Sequence, residues 1–177
     1  MITRTYKTEG IVLARINYSE ADKIITIFSK HYGKIKCLAK GIRKLTSRKG
    51  GNLELFNLVS LFLVKGKNLD IVTEVILINP FSNFKNNSRK VATAFHLSQL
   101  IDQMTREEQA NWQIFELLKK TFRKLELPDV NLEKLRIEYK TKLLKFTGFG
   151  WPEKIDELSL NSHIEKIIEK KVQLPYD

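Results

Sequence analysis

The stretch Lys23-Ile-Ile-Thr-Ile-Phe-Ser-Lys-His-Tyr-Gly-Lys-Ile-Lys-Cys-Leu-Ala39 decides how the first half of the chain folds. Residues Lys23 to Ser29 are rich in β-branched side chains, which fit a pleated strand. His31-Tyr-Gly33 is a tight turn. From Lys34 to Lys40 the pattern alternates, with Ile35, Cys37 and Ala39 on one side and Lys34, Lys36, Leu38 and Lys40 on the other. A period of two places Lys34, Lys36 and Lys40 on the same strand face. The two runs are therefore strands of one hairpin.

The flanking sequence extends this pattern. Gly10 to Ile16 reads as a strand apolar on both faces and hence central, with a turn at Asn17–Asp22. Gly41 to Asn52 is basic, polar and expected to be a mobile loop. Glu54 to Val64 reads as a long strand bent near Asn57, and Asp70 to Asn79 as the next, joined through a turn at Lys65–Asn68. Five short strands linked by turns predict a small closed barrel that leaves no exposed edges. A five-stranded Greek-key barrel of the OB type fits that count.

Pro80 marks a change of period. Val91, Ala94, Phe95, Ser98, Ile101 and Met104 recur at helical spacing after a cap at Ser88. Thr105-Arg-Glu-Glu108 matches a capping box ahead of a helix with Trp112, Phe115, Leu118 or Leu117, Phe122 and Leu125 inward. Pro128 ends that helix. Asn131 caps another, with Leu132, Leu135, Tyr139, Leu143 and Phe146 inward, and Gly148 is its left-handed C-cap. Trp151-Pro152 is a connector, and Ser162-His-Ile-Glu165 is a capping box for a short last helix. Strands followed by helices make an α+β chain: an OB-fold barrel over residues 1–79, then an all-helical domain over residues 80–177.

Charge identifies the partner class. Residues Lys30 to Lys49 hold eight cationic side chains, and no carboxylate lies between Asp22 and Glu54. A solvated lysine-rich loop would account for the run. However, Gly33, Gly41, Gly50 and Gly51 punctuate it into strand ends and turns, and its first half is one-sided. Such a run sustains a positive potential suited to a polyanion. The 177-residue chain has a net charge of +11. Residues 1–79 carry 14 Lys/Arg against 6 Asp/Glu, and residues 80–177 carry 17 against 14.

Chemistry is sparse by comparison. Cys37 is the single cysteine, so neither an intrachain disulfide nor a CxxC zinc site is expected. Residues Met1 to Tyr6 lack the apolar core of a signal peptide, and no apolar run approaches the ~20 residues of a membrane span. A cytoplasmic protein without membrane contact is expected. There is no Walker phosphate loop and no Gly-x-Ser-x-Gly. His31 in a turn, His96 on a helix flank and His163 at a helix start have no ligand-spaced neighbours. Glu107-Glu108 and Asp156-Glu157 fall at helix starts or in loops, where the helix dipole accounts for them. No catalytic residue, metal or cofactor is expected.

Single-strand binding combines a cationic groove with aromatic faces on which bases stack. Phe28, Tyr32 and Phe56 flank the basic run; Tyr32 is the stacking candidate, and Phe28 and Phe56 belong to the barrel core. Arg43, Lys44, Arg48 and Lys49 would contact phosphates without reading sequence.

Gly10-Ile-Val-Leu13, Tyr18-Ser-Glu-Ala-Asp22, Ile25-Thr-Ile-Phe28, Gly33-Lys34, Ala39-Lys-Gly-Ile-Arg-Lys44, Ser47, Gly51-Asn-Leu53 and Phe56, in this order, resemble the RecO family of recombination mediators. Phe115-Glu-Leu-Leu118 and Lys142-Leu-Leu-Lys-Phe-Thr-Gly-Phe-Gly-Trp-Pro152 are similar to its helical part. The resemblance implies an OB-fold barrel, a helical domain and a non-enzymatic, nucleoid-associated role in DNA repair. That role comprises binding single- and double-stranded DNA, annealing strands and helping load RecA onto coated strands. It also implies RecR and the acidic tail of single-strand-binding protein as partners, with RecA engaged indirectly.

Many members carry zinc cysteines and an insertion after the glycine-rich run. Here residues 153–160 lead directly to the last helix, so zinc is not expected. Lys34, Lys40, Arg43, Lys44, Arg48 and Lys49 are the expected phosphate contacts, with Arg15 and Lys36 as second choices. About six such contacts predict a log–log salt slope near −4 on single strands. The alternatives are a helical adaptor whose charge serves solubility, and an RNA-binding OB protein.

Overall fold

The structure, a computed structural model, describes residues 4–44, 47, 49–170 and 172. It divides into two compact units, residues 1–80 with 107–115, and residues 81–106 with 116–177.

The first unit is a closed barrel of β1 (Thr5–Asn17), β2 (Lys23–Ser29), β3 (Gly33–Ala39), β4 (Leu58–Val64) and β5 (Asp70–Asn79) in the order β1-β2-β3-β5-β4. This is the OB arrangement that five short strands predict. β1 serves two neighbours, pairing β4 over Thr5–Ile11 and β2 over Gly10–Asn17. An irregularity between Val12 and Ala14 bends it from one partner to the other. The alternation in the central hairpin holds, since Ile35, Cys37 and Ala39 are buried with Val12, Ile27 and Val59. β3 and β5 run parallel and pair only at Cys37–Asp70 and Leu38–Ile71. Beyond that, Lys49 Nζ donates to the Val72 carbonyl at 2.8 Å and Asn52 Nδ2 to Val75 at 3.3 Å.

The expected strand from Glu54 begins instead at Leu58. Residues 54–57 form a turn, with Asn57 N–H donating to the Glu54 carbonyl and Phe56 at φ 69°. The Asn57 amide donates to the carbonyls of Gly51 and Asn52, which locks that turn. Described residues of the basic loop are anchored, because Ile42 and Leu53 sit in the barrel core.

The helical elements are α1 (Ser82–Lys85), α2 (Ser88–Met104), α3 (Trp112–Leu125), α4 (Leu132–Thr147) and α5 (Glu157–Ile168). Phe122 takes edge contacts from Phe81 and Phe84, and the buried Tyr139 hydroxyl donates to the Leu97 carbonyl. Asn131 caps α4 by accepting from Lys134 N–H, and Gly148 ends it at φ 80°, as the sequence indicates.

Three other start signals are displaced. Asn87, not Ser88, caps α2. Thr105 closes α2 through its hydroxyl bond to Ile101, and α3 begins only after Asn111. Ser162 and His163 lie inside α5, which Asp156 caps. In the last two cases another side chain, Asn111 for α3 and Asp156 for α5, supplies the acceptor, so the Ser/Thr-x-x-Glu spacing is fortuitous. The helix faces shift as well. Phe95 and Trp112 point outward at 47% and 64% exposure, while His96 is buried.

Candidate nucleic-acid interface

Two loops meet at the end of the barrel where β3 stops. Asp22 accepts from Gly41 N–H at 2.8 Å, and the Ala21 carbonyl accepts from Arg43 N–H at 3.0 Å. Arg43 Nη1 also donates to the Ser19 carbonyl at 3.1 Å. The β1–β2 turn therefore buttresses the start of the β3–β4 loop, and three side chains of that loop, Lys40, Arg43 and Lys44, are exposed together. Tyr18 lies in the same buttressing turn and is 60% exposed. The end thus presents cations beside an aromatic face, the combination that grips a sugar-phosphate chain and stacks a base.

The other expected contacts are distributed differently. Lys34 is buried at 7% exposure, because Glu107 runs beside it in a parallel bridge and Glu108 N–H donates to its carbonyl at 2.9 Å. Lys36 shares the outward face of β3 but is ion-paired with Glu107 at 2.5 Å. Arg15 is paired with Glu54. Lys49 is committed to Val72, as described above. Arg48 lies outside the described residues.

Tyr32 sits at the opposite end of β3, a strand of seven residues and thus about 20 Å away. Its ring is 4.5 Å from that of Tyr6. Lys65 Nζ lies 5.1 Å over the Tyr6 ring and 3.3 Å from Asp70, which also accepts from the Tyr6 hydroxyl. Burial and the Asp70 bond push the Tyr6 hydroxyl pKa upward. Tyr32 is therefore part of a separate aromatic cluster rather than the basic loop.

Tyr18 is the residue that the composition of the basic run could not reveal. A topological signal for it exists: β1 ends and β3 ends are brought to one side by the β2 that lies between them.

The helical unit holds a second cationic feature. A cleft of about 520 Å³ is lined by residues including Arg89, Asn131, Glu133, Arg136 and Glu157. At its edge Arg136 grips Glu157 with Nε and Nη2 at 2.6 and 2.9 Å, and Lys140 Nζ reaches the same carboxylate at 2.9 Å. Lys140 also donates to Asn161 at 2.7 Å. Two nearly fully buried cations thus share one carboxylate. Burial raises the Glu157 pKa, but the bonds from Arg136 and Lys140 overturn that effect and hold it low. Burial lowers the Lys140 pKa, and Glu157 opposes this.

Burial pushes the Cys37 thiol up to about 12, so this cysteine is a core side chain rather than a reactive one. Among the described residues no group of three or more His, Cys, Asp or Glu is placed to hold a metal ion. No helix among them is long and apolar enough to cross a membrane.

Comparison with known proteins gives one consistent result. The family model described as "Recombination protein O N terminal" matches residues 1–81, and "Recombination protein O C terminal" matches residues 86–154. The DNA repair protein RecO of Roseiflexus sp. (strain RS-1) is 35% identical over 125 residues, covering 71% of this chain and 44% of that protein. The same-named protein of Alkaliphilus metalliredigens (strain QYMF) is 31% identical over 142 residues, covering 80% and 58% respectively. That of Cutibacterium acnes is 44% identical over 78 residues, 44% of this chain and 32% of its own. The chain spans about half the length of the curated relatives it matches.

Proposed function

The chain belongs to the RecO family of DNA repair proteins, and from that premise we propose that it binds DNA without sequence preference and anneals complementary strands in recombinational repair. The observation that carries this reading is the barrel end where Lys40, Arg43 and Lys44 stand exposed beside Tyr18. Cations of a loop contact phosphates, which are the same in every sequence, and a tyrosine face accepts any base. Bringing two strands to one cationic surface neutralises phosphates on both and lowers their mutual repulsion, so annealing needs no covalent step. The role is that of a mediator rather than a catalyst.

The helical unit supports a protein partner. Beside its cleft the buried Arg136 and Lys140 of α4 share the single carboxylate of Glu157, a local excess of one positive charge suited to an acidic peptide end. We assign it to the acidic tail of single-strand-binding protein. Through that contact and one with RecR, the chain would assist loading of RecA on coated strands.

Annealing of complementary oligonucleotides tests the DNA reading. The unaltered chain should accelerate annealing, and the combined variant Lys40→Ala, Arg43→Ala, Lys44→Ala should lose most of the acceleration. Equal annealing by the two proteins would remove the mechanism. Binding of a tail peptide to Arg136→Ala against the unaltered chain tests the partner site separately. Tight peptide binding with no DNA affinity would instead favour an adaptor, and preference for RNA in competition would favour RNA processing.

A further inference from the structure

The short segment Glu107–Ala110 does something for which its sequence position gives no hint. β3 pairs with β5 only near its C-terminal end, which leaves its N-terminal half, Gly33 to Lys36, without a strand on that side. Glu107 fills the gap as a parallel bridge to Lys34, and Glu108 N–H donates to the Lys34 carbonyl. The fit is close: a Cβ at Gly33, whose φ is +66°, would lie 2.0 Å from the Gln109 carbonyl oxygen. Glu108 adopts φ 57°, a left-handed conformation unusual for a residue with a side chain. Above this backbone contact the Glu107 carboxylate holds Lys36 at 2.5 Å. An acidic strap thus lies over two lysines that alternate onto the outer face of the barrel.

We propose that this strap is an internal competitor for nucleic acid: a bound single strand displaces Glu107–Ala110 from β3, and Lys34 and Lys36 then contact its phosphates. The proposal rests on the DNA-binding reading above and adds a regulated second contact to it. The chemistry of the exchange is symmetric. A carboxylate and a phosphodiester are both anionic oxygen acceptors for a lysine ammonium. The strap offers one carboxylate to Lys36, whereas a strand held at Lys40, Arg43 and Lys44 offers successive phosphates from a tethered chain, at high local concentration.

The contact being broken is small. The Lys36–Glu107 pair is about half exposed on both sides, a class of pair that changes an equilibrium by about fivefold at most. Among the described residues the strap meets β3 through the Glu107 bridge, the Glu108 backbone bond and the close approach of Gln109 to Gly33, a local attachment at a sheet edge of the kind that opens without global unfolding. Lys34 lies six residues before Lys40 on a strand, about 20 Å along the barrel wall, so a displaced strap would lengthen the binding track.

Two measurements on the full chain with a single-stranded oligothymidylate test this. The first is hydrogen exchange of the Glu108 amide, which is bonded to Lys34 in the free chain; DNA should accelerate it. The second is DNA affinity of Glu107→Gln against Glu153→Gln, a control that changes net charge equally at an exposed site of the helical unit. Glu107→Gln should bind about two- to fivefold tighter than the control.

The log–log salt slope of the unaltered chain should also exceed that of the exposed loop alone by about 0.7 for each lysine recruited. An amide equally or better protected in the bound chain overturns the proposal, as does a Glu107→Gln affinity no tighter than the control. Either result, found in a chain that binds DNA with salt dependence, leaves the DNA-binding reading standing. Absence of any DNA binding by the unaltered chain overturns both.

Discussion

Replacing Lys40, Arg43 and Lys44 together with alanine removes the cationic side chains that stand exposed at the buttressed end of the barrel. The size of the effect follows from the geometry. Each phosphate neutralised on a single strand adds about −0.7 to the slope of log affinity against log salt. Three contacts contribute about −2, so raising salt from about 50 to 200 mM costs this loop about 20-fold in affinity. The triple variant should therefore bind with a slope shallower by about 2 than the unaltered chain.

The sequence suggests six phosphate contacts and a slope near −4. The structure reduces the unassisted number, because Lys34 is covered by the strap and Lys49 is bonded to Val72. Fluorescence anisotropy with a labelled oligothymidylate over a salt series measures the slope directly. The substituted side chains are exposed, so melting should move by less than about 0.5 kcal/mol, which separates lost binding from lost folding. A slope difference below about 0.7, less than a single contact, would refute the assignment of this end as the landing surface.

The buried cluster of the helical unit gives an asymmetric expectation. Glu157→Ala strands two buried cations and should cost about 3–5 kcal/mol in urea unfolding followed by circular dichroism. Lys140→Met keeps the bidentate Arg136–Glu157 pair and relieves a buried charge, so it should cost about 1 kcal/mol or less; equal costs would sink the account. Acid should weaken the same unit. Glu138, held at about 2 by hydrogen bonds from Lys124 and Lys142, and Glu157 both have pKa values lower in the folded than in the unfolded chain. The unfolded state then binds more protons below about pH 4.5, so stability is full above that pH and falls as pH drops toward 2.

Glu138 is partly exposed and contributes at most about 1 kcal/mol of this, so the urea midpoint of Glu138→Gln should keep most of its acid sensitivity. Asn131→Ala removes the α4 cap and should cost about 1 kcal/mol in the same assay. Cys37 should resist a thiol reagent in the native chain and react on unfolding at the unfolding rate.

The parts of this fold that were legible beforehand are those set by neighbours along the chain. The two-residue period of Lys34 to Ala39 placed Ile35, Cys37 and Ala39 inside and the lysines outside; the burial pattern agrees for the three apolar residues and for Lys36, while Lys34 is covered by the strap. Asn131 and Gly148 were readable as caps because a cap is made within one helical turn. The same local signs misled at Thr105 and Ser162. There the hydroxyl and the glutamate have the right spacing, but the backbone around them is committed elsewhere, to the end of α2 and the middle of α5.

What the order of residues determined by itself is the barrel, the helices and the excess of positive charge in the first half. Strand period, capping and composition act over a few residues and need no partner from afar. Which of those charges faces solvent was decided only in three dimensions. Lys34 and Lys36 meet Glu107 more than seventy residues later, Lys49 meets Val72, and Tyr18 stands beside Arg43's anchor while Tyr32 lies at the other end. Exposure depends on what the rest of the chain brings alongside, and that is a property of the closed barrel and its strap rather than of any stretch of sequence.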